Sequence, residues 1–258
     1  MESSNVPFRN ENVVLNSRTF EKFAGAKYKH AMTIRGAVDK TAILLIIVAL
    51  SAASTWLSFV HDTGSGWFYL WLAVAPLAAL AVGLFSSANM RAAPFTAPIY
   101  AFLEGSVLGI ISALLEAEYP GLVIQAVLLT FGTLFALLVV YLASGFNVTA
   151  KFRAGVISAT LAILLVYVAN IILRLLGMEG LPFIHQYDLI GIGFSLFVVI
   201  IAALNLVLDF DLIENGARER APKFMEWYCA FGVMVTLIWL YLEVLKLLIQ
   251  IAAAGDDD

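Results

Sequence analysis

The chain has 258 residues, 62% of them hydrophobic and 13% charged, with a net charge of −4. Soluble domains sit near about 45–50% apolar and about 25% charged, so this balance excludes an ordinary soluble domain. The single cysteine, Cys229, cannot close an internal disulfide, no CxxC or His/Cys cluster offers a zinc site, and no polybasic surface points to nucleic acid.

Residues 1–40 read as a polar, basic tail, in which Phe20, Phe23 and Lys27 share a helical face suited to a membrane surface. No signal peptide is visible ahead of the first apolar run. A helix needs about 20 apolar residues to cross hydrocarbon, where no backbone group can be left unpaired. Seven stretches meet or approach that length: Thr41–Val60, Phe68–Phe85, Tyr100–Leu115, Leu122–Leu142, Val156–Leu176, Leu189–Leu208 and Trp227–Leu248. The third is short and holds a glutamate. Between them lie turn-forming segments: "HDTGSG", Pro94 with Pro98, "EAEYPG", "ASGFN" and "GMEGLP". The expectation is an all-α polytopic membrane protein: a seven-helix domain over 41–252 with span seven at its centre, then an acidic tail at 253–258.

Thirteen of the fifteen lysines and arginines fall in the N-terminal stretch and in the second, fourth and sixth breaks. The positive-inside rule makes that side cytoplasmic, which puts the N-terminus inside and the C-terminus outside. The other side carries Asp62, Glu116, Glu118, Glu179, Asp188 and Asp256–Asp258. These are either solvated loop residues or a field that concentrates cations.

Ionisable groups inside a bilayer each cost about 2.5–3.5 kcal/mol on insertion scales, so each needs a reason. Span three holds Glu104, with Tyr100 on the same face and Gly105 and Gly109 in a GxxxG spacing that lets a neighbouring backbone approach. Span six ends with Asn205 and Asp209, four residues apart and on one face, while Asp211 points to the other side, toward the headgroups, and Glu214 lies further out. Span seven carries Gly232, Thr236, Trp239, Glu243, Lys246 and Gln250 as one stripe. Glu243 and Lys246 either neutralise each other or leave a functional carboxylate.

"LDFDLIE" at 208–214 and "WLYLEVLKLL" at 239–248 resemble the last two helices of the Bax-inhibitor (transmembrane Bax-inhibitor-motif) family. "YAFLEGSVLG" at 100–109 resembles that family's third span, and the basic tail with "APKFMEWYCAFG" is similar to a bacterial branch. The resemblance implies an integral protein of the bacterial cytoplasmic membrane and a pH-sensitive calcium leak. It also implies that acids of spans six and seven share a proton that shuts the pore, and Asp209 and Glu243 stand at those positions. Asp211 replaces the family's glutamine, and Glu243 stands where aspartate is usual. Two such carboxylates in low dielectric cannot both stay charged, and once bare they offer transient ligands to calcium.

The interval between the two acids is long for that pairing. With span seven starting at Trp227, Glu243 lies about 24 Å along it. Contact then requires that Pro222–Cys229 lie along the interface or that span six continue past Asp209. Arg91 offers a counter-charge for Asp209 or simply orients the chain, and Glu104, Asn205, Asp211 and Lys246 are accessory candidates.

The functions implied are a proton-gated cation leak or a non-transporting regulator that binds other membrane proteins, such as a quality-control protease. Enzyme chemistry is not expected: there is no GxSxG elbow, and an aspartyl protease needs both acids at one depth. The expected partners are the lipid bilayer, protons and calcium as permeant ion, with no bound cofactor.

Overall fold

The computed structural model describes residues 31–61, 66–144, 148–181 and 188–256. The surface-helix reading of Phe20, Phe23 and Lys27 lies outside them. Seven long helices follow in order: α1 (Ile34–His61), α2 (Gly66–Ala88), α3 (Ala93–Glu118), α4 (Leu122–Ser144), α5 (Ala150–Leu175), α6 (Leu189–Arg218) and α7 (Met225–Asp256). A short 3₁₀ turn, Met90–Ala92, links α2 to α3. All seven are long and apolar enough to cross a bilayer.

The helices outrun the apolar stretches at both ends. α1 begins at Ile34, inside the segment read as tail, and α7 continues to Asp256, inside the segment read as acidic tail. The third span is not short: α3 has 26 residues and contains both prolines read as a break. Pro94 sits in its first turn, where no intrahelical amide bond is due, and Pro98 forfeits one bond a turn later.

α7 packs against α1, α3, α4 and α6 and so occupies the centre. Half of the most apolar stretch of α3 and of α7 is buried, against 17–22% in α1, α2, α4 and α5. Leucine, valine and isoleucine side chains of the outer helices, such as Leu77, Leu128, Leu165 and Ile190, stay exposed, as a lipid-facing exterior requires.

α1 and α3 make the closest pair. A Cβ on Gly105 would stand 2.5 Å from the Val48 carbonyl oxygen, and one on Gly109 would stand 2.2 Å from that of Ala52. Both obstacles are backbone and cannot move aside. The close approach lets Ser51 Oγ donate to the Phe102 carbonyl (2.7 Å) and Thr55 Oγ1 to the Ser106 carbonyl (3.0 Å). With little hydrophobic drive between helices in lipid, such backbone proximity and hydrogen bonding hold the pair.

Helix ends rich in basic residues meet at one end of the bundle. Asp211 of α6 pairs with Arg153 of α5, Tyr141 of α4 donates to Glu214 (2.8 Å), and Met32 N donates to the Ala221 carbonyl (2.7 Å). We call this the basic end. Gly109→Val should force α1 off α3 and cost about 1–3 kcal/mol, read as a lower unfolding midpoint in detergent; an unchanged midpoint would contradict the backbone contact.

Candidate functional site

The polar residues of α7 recur along one side of an otherwise apolar helix. Cys229, Thr236, Glu243 and Gln250 are each seven apart, a spacing of nearly two turns that keeps them on one stripe. Glu243 and Gln250 are buried, as is Asp209 opposite on α6. The structure therefore gathers its buried acids along the seam between α6 and α7.

Asp209 is 6% exposed. Thr236 of α7 lies beside it, with its hydroxyl donating to the Gly232 carbonyl (3.1 Å). The Oδ2 atom of Asp209 accepts no hydrogen bond. Cys229, seven residues before Thr236 and toward the basic end, lies within electrostatic range of Asp209. α6 does continue past Asp209, by nine residues to Arg218, so the acid sits inside the bundle rather than at its rim.

Glu243 is also 6% exposed, but its neighbours are different. Tyr167 of α5 donates to its Oε1 at 2.7 Å and Trp239 Nε1 at 3.3 Å, and Lys246 Nζ lies 3.9 Å from Oε2. The ammonium of Lys246 also stands over the rings of Tyr167 (5.4 Å) and Phe194 (5.7 Å), a cage that offsets part of its desolvation. Glu243 and Lys246 thus form a local pair.

Asp209 and Glu243 do not hydrogen-bond to each other. Thr236, the contact of Asp209, precedes Glu243 by seven residues, about 10 Å along the helix. The extension of α6 brings Asp209 opposite Cys229 and Thr236, not opposite Glu243. The two acids occupy two levels of one seam.

The accessory residues disperse. Asn205 donates to Thr160 Oγ1 of α5 and to the Ile201 carbonyl, both at 2.8 Å, so it faces α5 rather than α7. Asp211 does not reach for the headgroups: it pairs with Arg153, and Asn215 donates to it at 3.0 Å. Arg91 is exposed on the 3₁₀ turn and is not among the groups that touch Asp209. Glu104 is half-buried beside Tyr100, whose ring packs edge-on against Phe231, apart from the seam. Among the described residues no cluster of three or more His, Cys, Asp or Glu side chains could hold a metal ion.

One acid was missed. Glu226, one residue ahead of the expected start of span seven, is fully buried and has a lysine three residues before it. Its other partners, Thr33 and Lys40, stand far away in sequence, Thr33 by 193 residues. The only local signal is an acid in the first turn of a helix, a common stabilising choice.

The profile of the family described as Bax inhibitor 1 like matches residues 12–253. The chain belongs to that family. Comparison with curated proteins gave no match, and comparison with solved structures gave none either. The Bax inhibitor 1 like assignment agrees with an integral, multi-pass, seven-helix protein and covers every element of the seam.

Tyr167→Phe should leave Glu243 short of its closest donor and cost about 1–3 kcal/mol, measured by thermal unfolding in detergent. A wild-type midpoint would mean that this hydrogen bond does not hold α5 to α7.

Proposed function

We propose that this Bax inhibitor 1 like protein is a pH-sensitive cation leak with calcium as permeant ion, opened and shut by protons on acids of the α6–α7 seam. The observation that carries the reading is Asp209: a carboxyl buried between two membrane helices, with one oxygen unpartnered and no ion pair among the described residues. Insertion scales charge about 2.5–3.5 kcal/mol for such a group, and nothing about helix packing alone requires it.

Asp209 and Glu243 act as two stations rather than one. With a proton on Asp209, and with Glu243 paired with Lys246, the seam is neutral and closed. When Asp209 loses its proton, the bare carboxylate has only the Thr236 hydroxyl beside it, and it draws water and cations into the seam. Glu243 keeps Tyr167, Trp239 and Lys246 around it and serves as the second station on the far side. A hard cation such as calcium takes oxygen ligands, and passing singly charged sites in turn lets it leave as readily as it enters. A proton shared directly between the two acids would require α7 to slide by about two turns. The basic end faces the cytoplasm in this reading.

Calcium entry into proteoliposomes, followed with a trapped indicator across pH 5–8, tests the proposal. Flux should rise with pH in the wild type as Asp209 loses its proton. Asp209→Asn should lower the flux and flatten the rise, by about tenfold for a single lost charge site. Glu243→Gln should have a smaller effect. A pH response unaltered in both variants would overturn the reading. No flux at any pH, with stable co-purification of a membrane protease, would favour the regulator instead.

A further inference from the structure

Where α1 and α7 begin, one carboxylate ties several segments together. The side chain of Glu226 is 0% exposed. Its Oε1 accepts from Thr33 N (3.0 Å), Thr33 Oγ1 (3.1 Å) and Lys223 Nζ (2.7 Å), and Lys40 Nζ stands 3.9 Å from Oε2. Thr33 in turn accepts from Gly36 N through its hydroxyl oxygen (3.0 Å), which makes it the cap of α1. The N-terminal ends of α1 and α7, each with partial positive charge, thus converge on one acid.

Gly36 leaves the space for it. A Cβ there would stand 2.0 Å from Glu226 Oε1. Beside this contact, Met32 N donates to the Ala221 carbonyl (2.7 Å), and Ala31 and Pro222 form an isolated antiparallel bridge. The lead-in to α1 is therefore laid across the α6–α7 connection. One turn beyond Glu226 lies Cys229, 1% exposed and within electrostatic range of both Glu226 and Asp209.

We infer that Glu226 is a latch: it fastens residues 31–36 over the basic end of the α6–α7 seam, and its release exposes Cys229 and, behind it, Asp209. Removing the carboxylate takes away the acceptor for both Thr33 donors and the counter-charge for two lysines in a single step. The inference rests on contacts at the helix ends and does not depend on whether ions pass.

Cys229, the chain's single cysteine, supplies the readout. The full chain in nanodiscs, with both ends open to solvent, is treated with a charged, water-soluble maleimide. Its alkylation rate is divided by that of the same chain unfolded in detergent. Wild type should react slowly. Glu226→Gln should react faster by about tenfold or more, since it loses charged hydrogen bonds in a buried site. Gly36→Ala should do the same with Glu226 still present, because the new methyl displaces the carboxylate.

Local release is separated from general loosening by a cysteine at buried Ala113 on α3 (Ala113→Cys) in a Cys229→Ala chain. Its rate should not change when Glu226→Gln is added. Wild-type rates at Cys229 in both Glu226→Gln and Gly36→Ala would overturn the latch, and so would equal acceleration at position 113.

Discussion

A buried carboxyl in hydrocarbon has to find its hydrogen bonds from neighbouring helices, because no water is there to supply them. In this bundle α7 carries that constraint. It runs through the centre, and its polar side chains fall on one stripe, so whichever helices face the stripe must provide the partners. α6 provides Asp209 to meet Thr236, α5 provides Tyr167 to meet Glu243, and the lead-in to α1 provides Thr33 to meet Glu226. The packing of three segments on α7 is thereby tied to three acids.

These acids are not equivalent. Glu226 has two lysines and two threonine donors, and Glu243 has a phenol, an indole and a caged lysine. Asp209 has one hydroxyl beside it, that of Thr236. The best-supplied acids stand near the two ends of the seam and the poorest stands between them. A charge appearing on Asp209 therefore has the least compensation and the largest effect on how α6 and α7 sit together. Small residues elsewhere, above all Gly105 and Gly109 on α3, fix the close approach of α1 and α3.

Much of this was legible in the sequence because hydrocarbon imposes a simple pattern. Seven apolar runs gave seven helices, and the GxxxG at Gly105 and Gly109 gave the close packing it usually signals. The ends were misjudged because charged and polar residues at a bilayer rim lower hydropathy while the backbone goes on as helix, as at Ile34–Lys40 and Asp209–Arg218. Asp211 and Glu214 stand where a helix leaves the bilayer, yet they tie α6 to Arg153 and Tyr141. Those pairings span 58 and 73 residues, and the one between Thr33 and Glu226 spans 193. No local spacing encodes such distances. The pairing of Asp209 with Glu243, suggested by resemblance, meets a geometric fact that only the register of α6 against α7 supplies.

The central claim is that Asp209 and Glu243 stand at separate levels of the seam and share no proton. Infrared difference spectra of the reconstituted protein, taken through a pH titration, follow the carboxyl stretch of protonated Asp209, the band that Asp209→Asn removes. The account predicts that Glu243→Gln leaves the midpoint of that band where it is. A midpoint for Asp209 that shifts by a full pH unit or more, about 1.4 kcal/mol of coupling, when Glu243 becomes glutamine would contradict it and restore a shared proton.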